Sequence, residues 1–140
     1  MFLSFAKSGS KSKDMCTPRK ILIVDDDPLM HLLYRRHLER EGFQLLTART
    51  GREALAIALR EAPHLIFMDV MMPETDGMTA LRELKKTDGT KAIPVIVITA
   101  NVGEYTASRQ EATMCGAAGF LPKPLSPSQL LEEIRRCLPG

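Results

Sequence analysis

What the chain lacks narrows it first. Its three cysteines, Cys16, Cys115 and Cys137, are an odd number without C-x-x-C spacing. Neither a disulfide framework nor a zinc site is indicated, and a reducing, cytoplasmic setting is expected. No apolar run approaches the ~20 residues that a membrane-spanning helix needs. Lys7, Lys11 and Lys13 stand where a signal peptide would carry its apolar core. The opening MFLSF is a weak anchor for a membrane surface and reads as part of a flexible tail. No internal repeat stands out. The basic stripe of a nucleic-acid binder is missing too. Residues 1–20 hold Lys7, Lys11, Lys13, Arg19 and Lys20 against Asp14 alone, so of the formal +2 this segment carries +4 and the other 120 residues −2. Direct nucleic-acid binding is therefore not expected.

What is present fits one globular domain. A chain of 140 residues, 44% hydrophobic and 26% charged, can bury a sizeable core and is neither collagenous nor largely disordered. Residues 1–19, rich in Ser, Lys and Gly over most of their length, are expected to form a flexible basic extension, and residues 20–140 the domain. Within the domain, ILIV (21–24), LIFM (65–68) and VIVI (95–98) are short continuous apolar runs, the pattern of strands buried on both faces of a parallel sheet. QLLT (44–47) and GFLP (119–122) are weaker candidates. Helical spacing separates them. Met30, Leu33, Tyr34, His37 and Leu38 mark a first helix opened by Pro28 and stopped near Gly42; Leu55, Ala58, Leu59 and Ala62 a second, ended by Pro63. Met78, Leu81 and Leu84 mark a third, and Leu130, Leu131, Ile134 and Leu138 the last. Residues 103–115 offer only Tyr105, Ala112 and Met114 for a stripe, and the helix predicted there is expected to be the most mobile. Five strands alternating with five helices predict a doubly wound α/β domain.

In such folds ligands bind beyond the carboxyl ends of the strands. There the sequence places Asp25, Asp26 and Asp27 after the first strand, Asp69 after the third, Thr99 closing the fourth and Lys123 after the fifth. Each has a plain structural role available: Asp27 as a helix cap, Asp69 as a turn former, Thr99 as a strand residue, Lys123 as a solvated charge. Their arrival at one end of one sheet is harder to assign to chance. Crowded carboxylates disfavour one another's ionisation unless a cation compensates. Magnesium suits that need, because it takes a few carboxylates and leaves positions for water and phosphate oxygens, matching Asp25, Asp26 and Asp69. A carboxylate beside such an ion can attack phosphorus. Asp69 is then a candidate nucleophile, Lys123 a charge on the transferred oxygens, and Thr99 a hydrogen-bond donor to the product. His31, His37 and His64 are scattered and are read as structural, and packing roles are expected for Cys115 and Cys137.

The motifs LIVDDDP, DVMMPETDG, VIVITA and FLPKP, in this order and spacing, make residues 20–138 resemble the receiver domain of bacterial response regulators. The resemblance implies a CheY-like, flavodoxin-like sheet in the order 2-1-3-4-5. It also implies phosphorylation of Asp69 by a histidine kinase or histidine phosphotransfer protein. Magnesium would be held by Asp25, Asp26, Asp69 and the backbone carbonyl of Met71, with Thr99 and Lys123 on the phosphoryl group. Phe120 would move inward as Thr99 moves, remodelling the helix 4, strand 5, helix 5 face for a downstream protein target. The product would be a monomer or a phosphorylation-dependent dimer. It would not be a conventional enzyme, though it would catalyse its own phosphorylation and dephosphorylation.

Three departures qualify the resemblance. Phe120 stands where many relatives carry Tyr, Pro122 removes a backbone donor from the fifth strand, and Met71 and Asn101 occupy positions that vary in the family and influence phosphate lifetime. Because the sequence stops two residues after the last helical stripe, a stand-alone receiver acting by contact is expected. The alternatives are a pseudo-receiver that binds partners without phosphorylation and a haloacid-dehalogenase-type magnesium phosphohydrolase. Asp25-x-Asp27 imitates the motif of the latter, but no late acidic pair completes it.

Overall fold

The computed structural model describes residues 18–69, 77–99 and 105–138. The chain runs β1 (Lys20–Val24), α1 (Pro28–Arg40), β2 (Gln44–Ala48), α2 (Gly51–Glu61), β3 (Leu65–Asp69), α3 (Gly77–Lys86), β4 (Val95–Thr99), α4 (Tyr105–Met114), β5 (Gly119–Pro122), α5 (Pro127–Cys137). The strands form one parallel sheet in the order β2-β1-β3-β4-β5, as expected. Residues 1–17, Met71 and Asn101 lie outside the described residues.

Side chains on successive strand positions point to opposite faces, and both faces are covered. Ile21, Ile23, Phe67 and Ile98 pack with Tyr34 and Leu38 of α1 and Leu130 and Ile134 of α5. Leu22, Val24, Met68 and Val97 pack with Ala54 and Ala58 of α2, Leu81 and Leu84 of α3, and Ala112 of α4. Every residue of β3 and β4 is therefore buried, whereas the edge strands β2 and β5 alternate with solvent. Pro122 sits on the edge strand β5, where a missing N–H is tolerated.

The helices start where local chemistry allows. Asp27 caps α1 by accepting from the Leu29 amide at 3.0 Å, with Pro28 in the first turn. Ser126 and Gln129 form a reciprocal capping box at the start of α5: the Gln129 amide donates to Ser126 Oγ at 3.1 Å and the Ser126 amide to Gln129 Oε1 at 2.9 Å. Gly42, at φ 91°, supplies the left-handed turn after α1.

Three predicted stripes are rotated from those observed. In α1 the buried set is His31, Tyr34 and Leu38, while Leu33 faces solvent. In α2 it is Gly51, Ala54 and Ala58, with Leu59 exposed, because small residues let the helix lie close on the sheet. In α4 Ala112 is buried, but Met114, at the last turn, is 87% exposed. The foot of the sheet, where the strands begin, is clasped. Arg19 Nη1 donates to the Leu138 carbonyl at 2.5 Å, and Lys20 Nζ lies 3.2 Å from Glu61. His64 has a structural role there, its Nδ1 accepting from the Lys20 amide at 3.0 Å.

Candidate functional site

Register carries the predicted residues to one rim. Val24 lies opposite Met68, so Asp25 and Asp69 occupy equivalent positions at the ends of adjacent parallel strands, whose spacing is about 4.8 Å. Asp69 lies opposite Ile98, which puts Thr99 one residue further along, and Thr99 lies opposite Pro122, which delivers Lys123. Two backbone bonds lock the ends: the Asp25 amide donates to the Ala48 carbonyl at 3.0 Å, and the Lys123 amide to the Thr99 carbonyl at 2.8 Å.

Asp25, Asp69 and Thr99 are only 2%, 3% and 1% exposed, while Asp26 is open to solvent. One carboxylate oxygen from each of Asp25, Asp26 and Asp69 falls within 4.8 Å of the others, a hard-oxygen donor set compact enough for a single magnesium or calcium ion. Lys123 Nζ reaches between the two buried acids, 2.8 Å from Asp25 Oδ2 and 2.8 Å from Asp69 Oδ2. Burial by itself would pull the ammonium's pKa down. The hydrogen bonds to Asp25 and Asp69 outweigh that and hold it well above the ordinary lysine value. Asp27, the third of the run, turns away to cap α1, and its amide donates to Asp25 Oδ1 at 3.1 Å.

Phe120 is buried in the core cluster shared with Val97 and Ala112. Two residues that sequence reasoning did not place near the site also border it. His31, buried on α1, comes under the influence of Asp25; burial lowers its pKa, against the opposing charge of Asp25. Tyr34 donates from its hydroxyl to the Leu125 carbonyl at 2.7 Å, and burial, then Asp25, raises its pKa. A phenol hydroxyl in a helical stripe read as core-facing was the available signal. Beside the acids opens a cleft of about 330 Å³ lined by Asp27, Met30, Tyr34, Lys123, Pro124 and Leu125. Elsewhere on its surface α1 exposes Leu29, Leu32 and Leu33, with Leu29 73% exposed.

Comparison with known proteins follows the same lines. Residues 21–135 match the family model described as the response regulator receiver domain. The chain is 37% identical over 121 residues to protein PilH of Pseudomonas aeruginosa, covering 86% of this chain and 98% of that protein. It is 40% identical over 119 residues to the transcriptional regulatory protein CpxR of Klebsiella pneumoniae, where 85% of this chain spans 49% of the relative. Among solved structures, the chemotaxis response regulator CheY4 of Vibrio cholerae superposes with a TM-score of 0.78 at 32% identity, covering 87% of this chain and all of that one.

Proposed function

Because the chain belongs to the response regulator receiver family and so to phosphorylation-switched two-component signalling, we propose that Asp69 is its phosphoacceptor, with Lys123 and Thr99 serving the transferred group. The observation that carries this reading is the Lys123 ammonium bonded at 2.8 Å to both Asp25 and Asp69. The family matches favour neither the pseudo-receiver nor the phosphohydrolase alternative.

The chemistry is a single displacement. An Asp69 carboxylate oxygen attacks phosphorus, and the phosphorus–nitrogen bond to the donor's histidine breaks. The electron pair leaves with the imidazole, which takes a proton. Asp25, Asp26 and Asp69, with the Met71 carbonyl that the family implies, are the residues to hold Mg2+, which neutralises charge gathering on the phosphoryl oxygens. Lys123 exchanges one carboxylate contact for a phosphoryl oxygen, at short range and with its charge assured. Thr99, at the end of β4, donates its hydroxyl to the acyl phosphate. That movement draws Phe120 with it and alters the α4–β5–α5 face, which meets the downstream protein. Phe120 acts through its volume alone, since it has no hydroxyl to bond in the switched state.

The partner that supplies phosphate is a histidine kinase or histidine phosphotransfer protein, and the exposed leucines of α1 suit an apolar helical surface. We assign the protein to the cytoplasm, as a monomer or a phosphorylation-dependent dimer that binds no nucleic acid through this domain; no described helix is long and apolar enough to cross a membrane. The basic segment 1–19 is read as an extension outside the switch. Labelling with acetyl phosphate and Mg2+ tests the assignment: wild type gains one acid-stable, hydroxylamine-labile phosphoryl group and Asp69→Asn gains none. Undiminished labelling of Asp69→Asn overturns it.

A further inference from the structure

Lys123 lies in a short loop between β5 and α5, and that loop is pinned from two sides. On the sheet side, the Lys123 amide donates to the Thr99 carbonyl at 2.8 Å. On the helix side, the Tyr34 hydroxyl donates to the Leu125 carbonyl at 2.7 Å, across 91 positions of sequence. Tyr34 is 3% exposed and Leu125 is likewise buried. A buried carbonyl left without a donor carries a full desolvation penalty, so this bond strongly favours one loop position. Packing does not require the hydroxyl, because a phenylalanine would fill the same stripe of α1. The oxygen it serves is two residues from the ammonium that both acids share, and Tyr34 and Lys123 line the same cleft.

We infer that Tyr34 is a positioning residue for the reaction: its hydroxyl holds the 123–125 loop so that the Lys123 ammonium stands between Asp25 and Asp69, and α1, the helix bordering the cleft, thereby sets the geometry of the charge that meets the phosphoryl group. The inference rests on Asp69 being the phosphoacceptor for its consequence, though not for its geometry.

The test compares the full chain with Tyr34→Phe. NMR of the Lys123 side-chain ammonium, in buffer without a phosphoryl donor, reads the geometry directly. In wild type the ammonium is slow to exchange with water and correlates with the Asp25 and Asp69 carboxyl carbons. In Tyr34→Phe its exchange accelerates about fivefold, the ratio expected for loss of one net hydrogen bond, while circular dichroism shows the fold intact. Labelling by acetyl phosphate slows by a similar factor. In a Lys123→Gln background the Tyr34→Phe change has little further effect on that rate, because a residue acting through Lys123 is not additive with its loss. An unchanged ammonium signal in folded Tyr34→Phe overturns the inference, as does full additivity with Lys123→Gln. If wild type takes no label while the ammonium still responds to Tyr34→Phe, the phosphoacceptor assignment fails and the positioning stands.

Discussion

Lys123 Nζ and Asp69 Oδ2 stand 2.8 Å apart although 54 positions of sequence separate them, and the same nitrogen is equally close to Asp25 Oδ2. One cation thus holds together two acids that would otherwise repel within a buried rim. Its pKa is raised in the folded chain, so it contributes stability fully below the ordinary lysine value of 10.5 and loses that contribution as pH climbs above it.

Removing that cation strands two buried carboxylates. Lys123→Gln is expected to destabilise the domain by about 2–4 kcal/mol in metal-free buffer, the scale for breaking a buried pair, discounted because the lysine is partly exposed. Millimolar Mg2+ restores most of the loss by supplying charge at the same acids. Urea unfolding with EDTA and then with Mg2+ measures both. Equal destabilisation in the two buffers contradicts the idea that lysine and metal answer the same repulsion.

His31 sets an acid limit. Burial keeps its imidazole below the usual 6.5 in the folded state, so between that lower value and 6.5 the unfolded chain binds the proton more readily. Stability present above pH 6.5 is therefore lost as pH falls toward the folded pKa. Comparing urea midpoints at pH 7.5 and 5.5 for wild type and His31→Gln checks this. The variant is expected to lose less over the interval.

On the proposed docking face of α1, Leu29 is the position that would separate docking from chemistry. Since its side chain lies in solvent, Leu29→Asp should leave stability within about 0.5 kcal/mol of wild type. Labelling by acetyl phosphate should not change, while transfer from a phosphohistidine protein slows at least tenfold. A fall in both rates points to damage at the acids rather than to lost docking.

The centre of the sheet behaves oppositely. Phe67 is fully buried on β3 between α1 and α5, so Phe67→Ala should cost roughly 3–5 kcal/mol. Thermal unfolding at matched protein concentration reads the difference. Met114→Ala, changed on an exposed position, serves as the control and should be near neutral.

How legible each element was in the sequence follows from how many of its faces are covered. β1, β3 and β4 lie inside the sheet with helices on both sides, so ILIV, LIFM and VIVI had to be continuously apolar and stood out. β2 and β5 are edges with half-solvated side chains, and QLLT and GFLP were correspondingly faint. The helix stripes misled where size outweighed hydropathy. Ala54 and Ala58 face the sheet because they are small, and Leu59 on the same helix is left outside. On α1 a buried histidine took the place that Leu33 was expected to fill. The acids and Lys123 were legible because, although each has a plain structural role available, together they follow apolar runs that end at one rim of a single sheet. The Tyr34 link was not, because no spacing rule connects a helix to a loop 91 residues away.

Arg19 and Leu138 meet at the foot of the sheet, whereas Asp25, Asp69 and Lys123 gather at its head. Both points where polypeptide enters and leaves the fold therefore share a single pole. A few residues of linker could close them into a ring without passing over the acidic rim, so the domain is suited to circular permutation and to insertion as a cassette within a host protein. Reporter modules attached at either point would project away from the acids, leaving the approach of a phosphohistidine unobstructed.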